Sequence, residues 1–363
     1  MAAQDFIRVT ASCLRANFIS YRAWSKKFKW LVPDHFFEGA EKLLSIWFTT
    51  EEGKGEEHGD LKKIPRGKWD ELVRGVDAEI LSEIEDEDVR AFILSESSLF
   101  VFENRIIVKT CGTTRCLKAL EYSITLAAKM CGLTRLQDVF YSRRNFLQPK
   151  AQVDMHSSFS DEVGYLDKFV EGGAPYVMGK VNIDCWFFYT KVQRSSTGVS
   201  IGQPDQRFEL IMSDLDPQAM KQFYYSSNQT GHAATLSSGI SKLIPGARID
   251  SHMFQPCGYS CNAIIPGGFY FTIHITPETD FSFASFETNH PDGNHAGFME
   301  KVLNIFKPGH LIVTKLANQL SKTNVMSDFR LENYDLQDLQ ITKYPCYDVH
   351  YSSYDVRSLA DHC

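Results

Sequence analysis

The sequence lacks the features that mark membrane-spanning, fibrous and disordered proteins. No stretch of 18 or more apolar residues occurs in the 363 residues, and a membrane-spanning helix needs about that many. Only 23 glycines and 13 prolines are present, while apolar residues make up 43%, which argues against collagen-like and low-complexity chains. We therefore predict a globular protein with a substantial core, organised as one large or two ordinary domains.

Basic runs are also missing. Lysine and arginine never cluster five or six together, and the formal net charge is −7, so binding to a nucleic-acid backbone is not expected. Residues 1–33 are the exception, with six basic residues and one acidic residue. We predict a flexible N-terminal extension over 1–33, a single domain over 34–363 and a cytoplasmic protein. A mitochondrial transit peptide is the minor alternative, and the apolar run of a secretory signal is absent.

No CxxC pair occurs among the nine cysteines, and their number is odd. A zinc site or a disulfide framework is therefore poorly supported. We expect no metal, and most of the cysteines are expected to be reduced thiols in the core.

The apolar pattern predicts both strands and helices. HFFEGAEKLLSIWF is expected to be extended up to Gly39 and then an amphipathic helix, with Leu43, Leu44, Trp47 and Phe48 facing inward. AFILSESSLFVF (91–102) and RIIVKT (105–110) are typical of two adjacent strands. A helix over roughly 113–130 follows, with Gly132 as its C-cap.

Later segments repeat this style. Strand patterns occur in VFYS, WFFYTK and RFELIMS, and CGYSCNAII and FYFTIHI are predicted to form a hairpin through Pro266-Gly267-Gly268. The strand FSFASFET, the helix GFMEKVLNIF and the strand HLIVTKLA come next. Hairpins followed by single helices, twice, favour antiparallel sheets with helices packed on one face of each. No GxGxxG follows a strand, which disfavours a doubly wound parallel fold.

Three local segments carry candidate chemistry. LSESSLF places Ser97 among polar residues inside an apolar strand, which indicates either a functional position or an ordinary serine pair at a strand bend. KTCGTT places Cys111 between a strand end and a helix start, where the helix terminus and Lys109 are expected to lower the thiol pKa. A buried inert cysteine is the alternative interpretation.

The third segment is PCGYSCNAI followed by TIHITPE, which offers Ser260, His274 and Glu278 on a pair of strands. A serine beside a histidine suggests a nucleophile and its base. However, no GxSxG elbow is present, and a histidine with ordinary sheet partners is the commoner explanation.

These segments together resemble one family, the eukaryotic S-adenosylmethionine decarboxylases. The resemblance also rests on HFFEGAEKLL, IPRGKWD, LKALE, FYSRRNF, MGKVNIDCWFFYT, QPDQRFELIMSDLDP and SFETN, which occur in family order over about 34–310. It implies an α+β fold, a four-layer αββα sandwich of two antiparallel sheets with helices on the outer faces.

The resemblance implies that the chain cuts itself between Glu96 and Ser97. A β chain would end at Glu96, and an α chain would begin with a pyruvoyl group made from Ser97. In this chemistry the Ser97 hydroxyl attacks the preceding carbonyl, His274 acts as the base, and Ser260 supports the intermediate. The pyruvoyl carbonyl would then form a Schiff base with the substrate amine, so that no pyridoxal phosphate is needed.

Family similarity also assigns the substrate site. Cys111 would be the proton donor after decarboxylation, and the rings of Phe37 and Phe254 would face the adenine and the sulfonium cation. Glu278 would accept hydrogen bonds from the ribose. The remaining residues placed in catalysis or substrate binding are Glu38, Glu41 and Glu96.

A second site is implied for putrescine, which activates many members of the family. The residues that match it are Asp205, Glu209, Glu287, Lys109 and Phe140. Two positions depart from the animal pattern, with Ser45 in place of an expected glutamate and Arg207 in place of an expected threonine. Residues 205, 207 and 209 share one face of their strand, so we predict that the guanidinium lies beside carboxylates and weakens dependence on putrescine.

The resulting prediction is a decarboxylase that makes the aminopropyl donor for spermidine and spermine, as a homodimer of αβ units. One alternative is a weak or inactive paralogue that regulates an active partner, although Ser97, Cys111, Ser260 and His274 are all retained. A hydrolase that uses Ser260 and His274 is a weaker alternative, because it lacks an identifiable acidic third member.

Overall fold

The computed structural model describes residues 36–50, 59–191, 204–226, 229–291, 295–323, 325, 329–344 and 347–357. The predicted extension over 1–33 and most of the loop at 51–60 lie outside the described residues.

Sixteen strands in the described ranges form two antiparallel sheets of eight strands each. The first sheet has the order β2-β3-β4-β5-β1-β6-β8-β7 and the second the order β10-β11-β12-β13-β9-β14-β16-β15. The strands are β1 Lys42–Thr49, β2 Ile80–Glu85, β3 Arg90–Leu94, β4 Ser97–Val101, β5 Arg105–Thr110, β6 Arg135–Arg144, β7 Gly173–Lys180, β8 Asp184–Lys191, β9 Gln206–Leu215, β10 Arg248–Met253, β11 Tyr259–Ile265, β12 Phe269–Thr276, β13 Phe283–Thr288, β14 Pro308–Asn318, β15 Tyr334–Lys343 and β16 Tyr347–Val356.

Adding eight to each strand number of the first sheet gives the strand order of the second sheet. The two halves of the chain therefore repeat one topology. Each half also places a helix after its fifth strand, α2 in the first half and α6 in the second. The described α-helices are α1 Arg66–Gly75, α2 Lys118–Cys131, α3 Phe159–Leu166, α4 Pro217–Met220, α5 Gly231–Ser238 and α6 His295–Phe306.

Three apolar cores separate four layers. One core lies between the sheets and includes Phe100, Tyr270 and Ile312. Another packs α1, α2 and α3 against the outer face of the first sheet, and the last packs α4, α5 and α6 against the outer face of the second sheet. The predicted α+β sandwich with helices on its outer faces is therefore confirmed.

Two local predictions with glycine as their signal are also confirmed. Helix α2 ends at Gly132, whose φ is +68°, a left-handed C-cap that glycine adopts without a steric penalty. The β11–β12 hairpin turns through Gly267 and Gly268, which have φ of +91° and +75°. No helix in the described ranges is long and apolar enough to cross a membrane.

The helix predicted after Gly39 is wrong, because residues 42–49 form strand β1. This strand lies between β5 and β6, and both of its faces are covered. Leu44 and Ile46 pack towards the helices, while Leu43 packs between the sheets. A strand buried on both sides loses the alternation of apolar and polar residues, so its pattern imitates an amphipathic helix.

The segment 91–102 is also different from the prediction, since it contains two strands. β3 and β4 pair as a hairpin in which Leu94 lies opposite Ser97, and Ser95 and Glu96 form the turn. No glycine or proline marks this turn in the sequence, so the usual turn signal is absent. Of the polar residues that interrupt the apolar pattern, Ser95 and Glu96 are the turn, and Ser97 and Ser98 begin β4.

Candidate active site

A cavity of about 250 Å³ opens where β4, β11 and β12 meet. Eight of the residues predicted for catalysis or substrate binding line it, drawn from segments up to 241 residues apart in the chain. They are Phe37, Glu96, Ser97, Cys111, Phe254, Ser260, His274 and Glu278. The fold therefore brings most of the predicted site together.

Ser97 is held in a strained backbone conformation. Its φ is +136°, a region that residues other than glycine rarely adopt and that costs on the order of 1–3 kcal/mol. The residue is 2% exposed, and its Oγ donates to Oε1 of Glu41 at 2.8 Å. The strain therefore falls on the residue whose bond to Glu96 is the predicted cleavage point.

The carbonyl of Glu96 is held by two donors from Cys111. The backbone N–H of Cys111 donates at 2.8 Å, and its Sγ lies 3.2 Å from the same oxygen. Two donors on one carbonyl oxygen polarise it and stabilise negative charge that develops there. The arrangement suits attack on this carbonyl by the neighbouring hydroxyl.

The prediction of a lowered thiol pKa for Cys111 is wrong. Burial, assisted by the nearby carboxylates Glu96 and Glu41, raises the pKa well above its ordinary value. Helix α2 begins only at Lys118, so no helix terminus lies at the thiol. A thiol with a raised pKa stays protonated, which suits a proton donor better than a nucleophile.

His274 and Ser260 face each other across the β11–β12 hairpin. Nδ1 of His274 lies 2.8 Å from Oγ of Ser260, and burial, with the positive charge of Lys109, lowers the pKa of His274 well below its usual value. The imidazole is thus neutral and able to accept a proton. Its other nitrogen, Nε2, contacts the hydroxyls of Thr272 at 2.8 Å and Ser98 at 3.0 Å.

Glu38 and Glu41 lie behind the cavity wall. Glu38 is buried, and its Oε2 accepts from the backbone N–H of Gln148 at 3.0 Å; burial raises its pKa. Its carbonyl also accepts from the N–H of Gly112 at 2.9 Å, which anchors the loop that carries Cys111. Glu41 contacts Ser97 directly, so it is the closer of the two to the predicted chemistry.

Glu41 connects Ser97 to a buried cluster of charges between the sheets. Nζ of Lys109 lies 3.1 Å from Glu41, 3.1 Å from Glu209 and 2.9 Å from Glu287. Burial opposes its charge, but the carboxylates outweigh burial and raise the pKa of Lys109 well above its usual value. Glu209 and Glu287 lie directly opposite each other on β9 and β13. Three of the predicted activator residues, Lys109, Glu209 and Glu287, therefore form one network that reaches Ser97 through Glu41.

Arg207 and Asp205 are buried in the same layer, as the shared strand face predicts. The guanidinium of Arg207 lies 4.4 Å from the ring centre of Phe140 and 3.4 Å from Oγ of Ser142. Asp205 is paired instead with Arg105 at 2.9 Å. Arg105 also donates to Oγ of Ser45 at 3.0 Å.

Arg105 was missed in the sequence, although its spacing carries a signal. Arg105 and Lys109 lie four residues apart on β5, and Ile107 between them packs in the core between the sheets. Alternate residues of a strand share a face, so both cations point into that layer.

Asp138 and Tyr347 were missed as well. The Tyr347 hydroxyl lies 3.0 Å from Asp138 and 3.2 Å from Asp205, and burial raises the pKa of Asp138 to about 7.

In the part of the chain that the structure describes, no group of three or more His, Cys, Asp or Glu side chains is arranged to hold a metal ion.

Comparison with known proteins agrees with this geometry. The family model for adenosylmethionine decarboxylase matches residues 34–355. An S-adenosylmethionine decarboxylase proenzyme from Xenopus laevis is 43% identical over 323 residues, 88% of this chain and 95% of the relative. The Drosophila melanogaster proenzyme is 40% identical with the same coverage, and an Arabidopsis thaliana proenzyme is 37% identical over 78% of this chain and 82% of its own.

Among solved structures, a Trypanosoma brucei AdoMetDC-delta26 monomer superposes with a TM-score of 0.55 and 25% identity, over 72% of this chain and 99% of its own. The sequence identity, the matched range and the shared fold agree, and this chain belongs to the adenosylmethionine decarboxylase family.

Proposed function

We propose that this protein is a self-processing decarboxylase that converts S-adenosylmethionine to decarboxylated S-adenosylmethionine, the aminopropyl donor for spermidine and spermine. The observation that carries the proposal is the pairing of a strained Ser97, at φ +136°, with a Glu96 carbonyl held by Cys111 at 2.8 Å. The names of the relatives, which are decarboxylase proenzymes, support it.

Self-cleavage begins with attack of the Ser97 hydroxyl on the Glu96 carbonyl carbon. The amide is converted to an ester, and the backbone N–H of Cys111 stabilises the charge on the carbonyl oxygen. His274, which is neutral because burial and Lys109 lower its pKa, accepts the proton from Cα of residue 97. The carbon–oxygen bond then breaks, Glu96 leaves with a new carboxylate, and hydrolysis of the remaining enamine releases ammonia.

The residues around Ser97 fit a pyruvoyl group at this position, since the chain end that cleavage creates lies in the cavity with Cys111, Phe254 and Glu278. When present, the pyruvoyl group supplies a carbonyl that accepts the electron pair released with carbon dioxide. Phe37 and Phe254 stack on the adenine and contact the sulfonium cation, and Glu278 binds the ribose hydroxyls. Cys111 holds its proton near the reacting carbon and returns it to the substrate.

An intact-mass measurement tests the proposal. Purified protein is expected to resolve into two chains under denaturing conditions, and the larger chain is expected to be blocked to N-terminal sequencing. Ser97→Ala is expected to remain one chain. Wild-type protein that stays uncut, and that no added partner protein causes to cleave, would contradict the proposal and favour a regulatory paralogue.

The cluster of carboxylates near Lys109 supports activation by a diamine. The arginine side chains already in the cluster support only weak activation, because they supply positive charge that the diamine would otherwise bring. Arg105 and Arg207 already lie among Asp205, Glu209 and Glu287. We therefore expect appreciable activity without putrescine and modest stimulation when it is added.

A homodimer of αβ units is also part of the proposal. The strands β7 and β15 each end their sheet and lie side by side, with Val177 and Leu336 exposed, so this side of the sandwich offers open backbone groups and apolar side chains. Light scattering on the purified protein tests the dimer.

Cell fractionation of the full chain and of a chain without residues 1–33 tests the proposed cytoplasmic location against the mitochondrion.

A further inference from the structure

Two hydroxyl groups lie between the imidazole of His274 and the amide of Asn262. One hydroxyl belongs to Ser98 on the first sheet, and the other belongs to Thr272 on β12, which lies opposite Asn262 on β11. Ser98 and Asn262 are fully buried, and so is Thr272. The cluster is therefore isolated from water, and each hydrogen must be shared among these groups.

The acceptors in the cluster decide where the two hydroxyl protons point. Ser98 Oγ lies 2.6 Å from Oδ1 of Asn262, and Thr272 Oγ1 lies 2.9 Å from the same oxygen. Thr272 Oγ1 also lies 3.1 Å from the carbonyl of Cys261. Carbonyl and amide oxygens only accept hydrogen bonds, whereas each hydroxyl carries one proton to donate. The amide oxygen faces the two hydroxyls while Nδ2 of Asn262 has no hydrogen-bond partner among the described residues, and in this orientation both protons are used on these oxygens.

The hydroxyl oxygens then have only lone pairs left for Nε2 of His274, which lies 2.8 Å from Thr272 and 3.0 Å from Ser98. With the amide in this orientation, Nε2 carries the hydrogen. Because a neutral imidazole has a single N–H, Nδ1 is left as the acceptor for the Ser260 hydroxyl at 2.8 Å. We propose that Asn262 is a positioning residue that acts through Ser98 and Thr272 to hold His274 in the Nε2–H tautomer, with Nδ1 as the basic nitrogen.

This inference rests on the proposed self-cleavage, in which His274 takes up a proton. Proton uptake at Nδ1 gives an imidazolium whose Nε2–H already has two acceptors, so no buried donor is left unpaired there. The opposite tautomer would present an N–H to Ser260 and leave no lone pair on that side. A base in the wrong tautomer cannot accept the proton at that nitrogen.

The experiment measures the tautomer and the cleavage rate separately. Full-length Ser97→Ala protein, which is expected to stay uncleaved, is labelled with ¹⁵N-histidine, and the His274 signals are assigned by comparison with His274→Gln. We expect a protonated Nε2 and an unprotonated Nδ1. Adding Asn262→Leu is expected to shift the ring towards Nδ1–H, because the Ser98 proton then has Nε2 as its acceptor.

In chains that retain Ser97, Asn262→Leu is expected to slow self-cleavage by about 10²-fold, the lower range for loss of general-base catalysis. If that variant does not fold, Ser98→Ala with Thr272→Val removes the two hydroxyl oxygens that accept from Nε2–H, and it is expected to slow cleavage similarly. Thr272→Ser keeps the hydroxyl and is the matched control, with cleavage and tautomer close to wild type.

A protonated Nδ1 in the Ser97→Ala protein would overturn the inference. So would a folded Asn262→Leu chain that cleaves at the wild-type rate. If the wild-type chain never cleaves, the proposed function fails, while the tautomer measurement still decides the role of Asn262.

Discussion

At the scale of single residues, the half-buried Cys111 and the buried Cys116 make a matched pair. Cys111 lines the cavity, whereas Cys116 is fully buried in the core under α2, as expected for a packing residue. Burial raises the pKa of both thiols, that of Cys116 to about 12. Only their positions distinguish a proton donor from a core side chain.

Cys111→Ala is expected to cleave itself to a substantial extent, because the backbone N–H on the Glu96 carbonyl remains. Its decarboxylation rate is expected to fall about 10²-fold or more, the effect of losing a positioned acid, or to decay quickly through transamination. Assays of carbon dioxide release over time measure both. Cys116→Ala is the control and should lower thermal stability with little effect on the rate per folded enzyme. Durable, full turnover by Cys111→Ala would contradict the assignment.

At the scale of an element, strand β9 carries Arg207 and Glu209 on one buried face, and the buried Asp205 lies directly before the strand. Like charges removed from water repel each other and favour protonation, so a buried carboxylate group needs a cation beside it. Lys109 and Arg207 both hold the pKa of Glu287 below its usual value against the effect of burial. The strand thus carries a fixed cation at a place where a diffusible diamine could act.

We expect Arg207→Thr combined with Ser45→Glu to gain dependence on putrescine, since it removes one positive charge and adds one carboxylate. Decarboxylation with and without putrescine should differ by at least about fivefold in this variant and less than about twofold in wild type, within the usual range of coupling between sites. Arg207→Lys keeps the charge and should behave like wild type. A strongly putrescine-dependent wild type, or a double variant without dependence, would show that the substitution argument is wrong.

At the scale of the whole molecule, His310 joins the two sheets. On the second sheet it lies opposite Asp355 and contacts it at 2.6 Å, and its Nε2 contacts Asp184 of the first sheet. Arg144 binds Asp184 as well, at 2.9 Å. Burial favours the neutral imidazole, but the two carboxylates outweigh it and raise the pKa of His310. The charged histidine therefore stabilises the packing of one sheet on the other.

Because the folded-state pKa of His310 is raised, its contribution is complete below the unfolded value of about 6.5 and is lost as the pH rises through the folded value. His310→Gln is expected to lower the free energy of unfolding by about 1.5–3 kcal/mol near pH 6, as for hydrogen bonds to charged groups, and by less at pH 9. Urea unfolding at both pH values measures this. His232→Gln, an exposed position on α5, is the control, and an equal loss at both pH values would exclude the charge-dependent contact.

Local patterns in the sequence determined the antiparallel sheets with helices, the β11–β12 hairpin with its glycine turn and the C-cap at Gly132, since alternation and turn residues act over a few neighbouring residues. The four-layer sandwich and the segments that meet at the cavity were implied by the resemblance of the sequence to a known family. The prediction of a helix over β1 was wrong because it also used a local pattern, whereas burial on both faces depends on the place of the strand in the sheet.

Only the tertiary structure decided which charges meet. Lys109 contacts Glu209 and Glu287, which follow it by 100 and 178 residues, and Arg105 reaches Asp205 across the same layer. The direction of the Cys111 pKa shift and the tautomer that we propose for His274 depend on burial and on partners from both sheets. Such contacts follow from strand register and from the packing of one sheet on the other, which no local pattern of residues encodes.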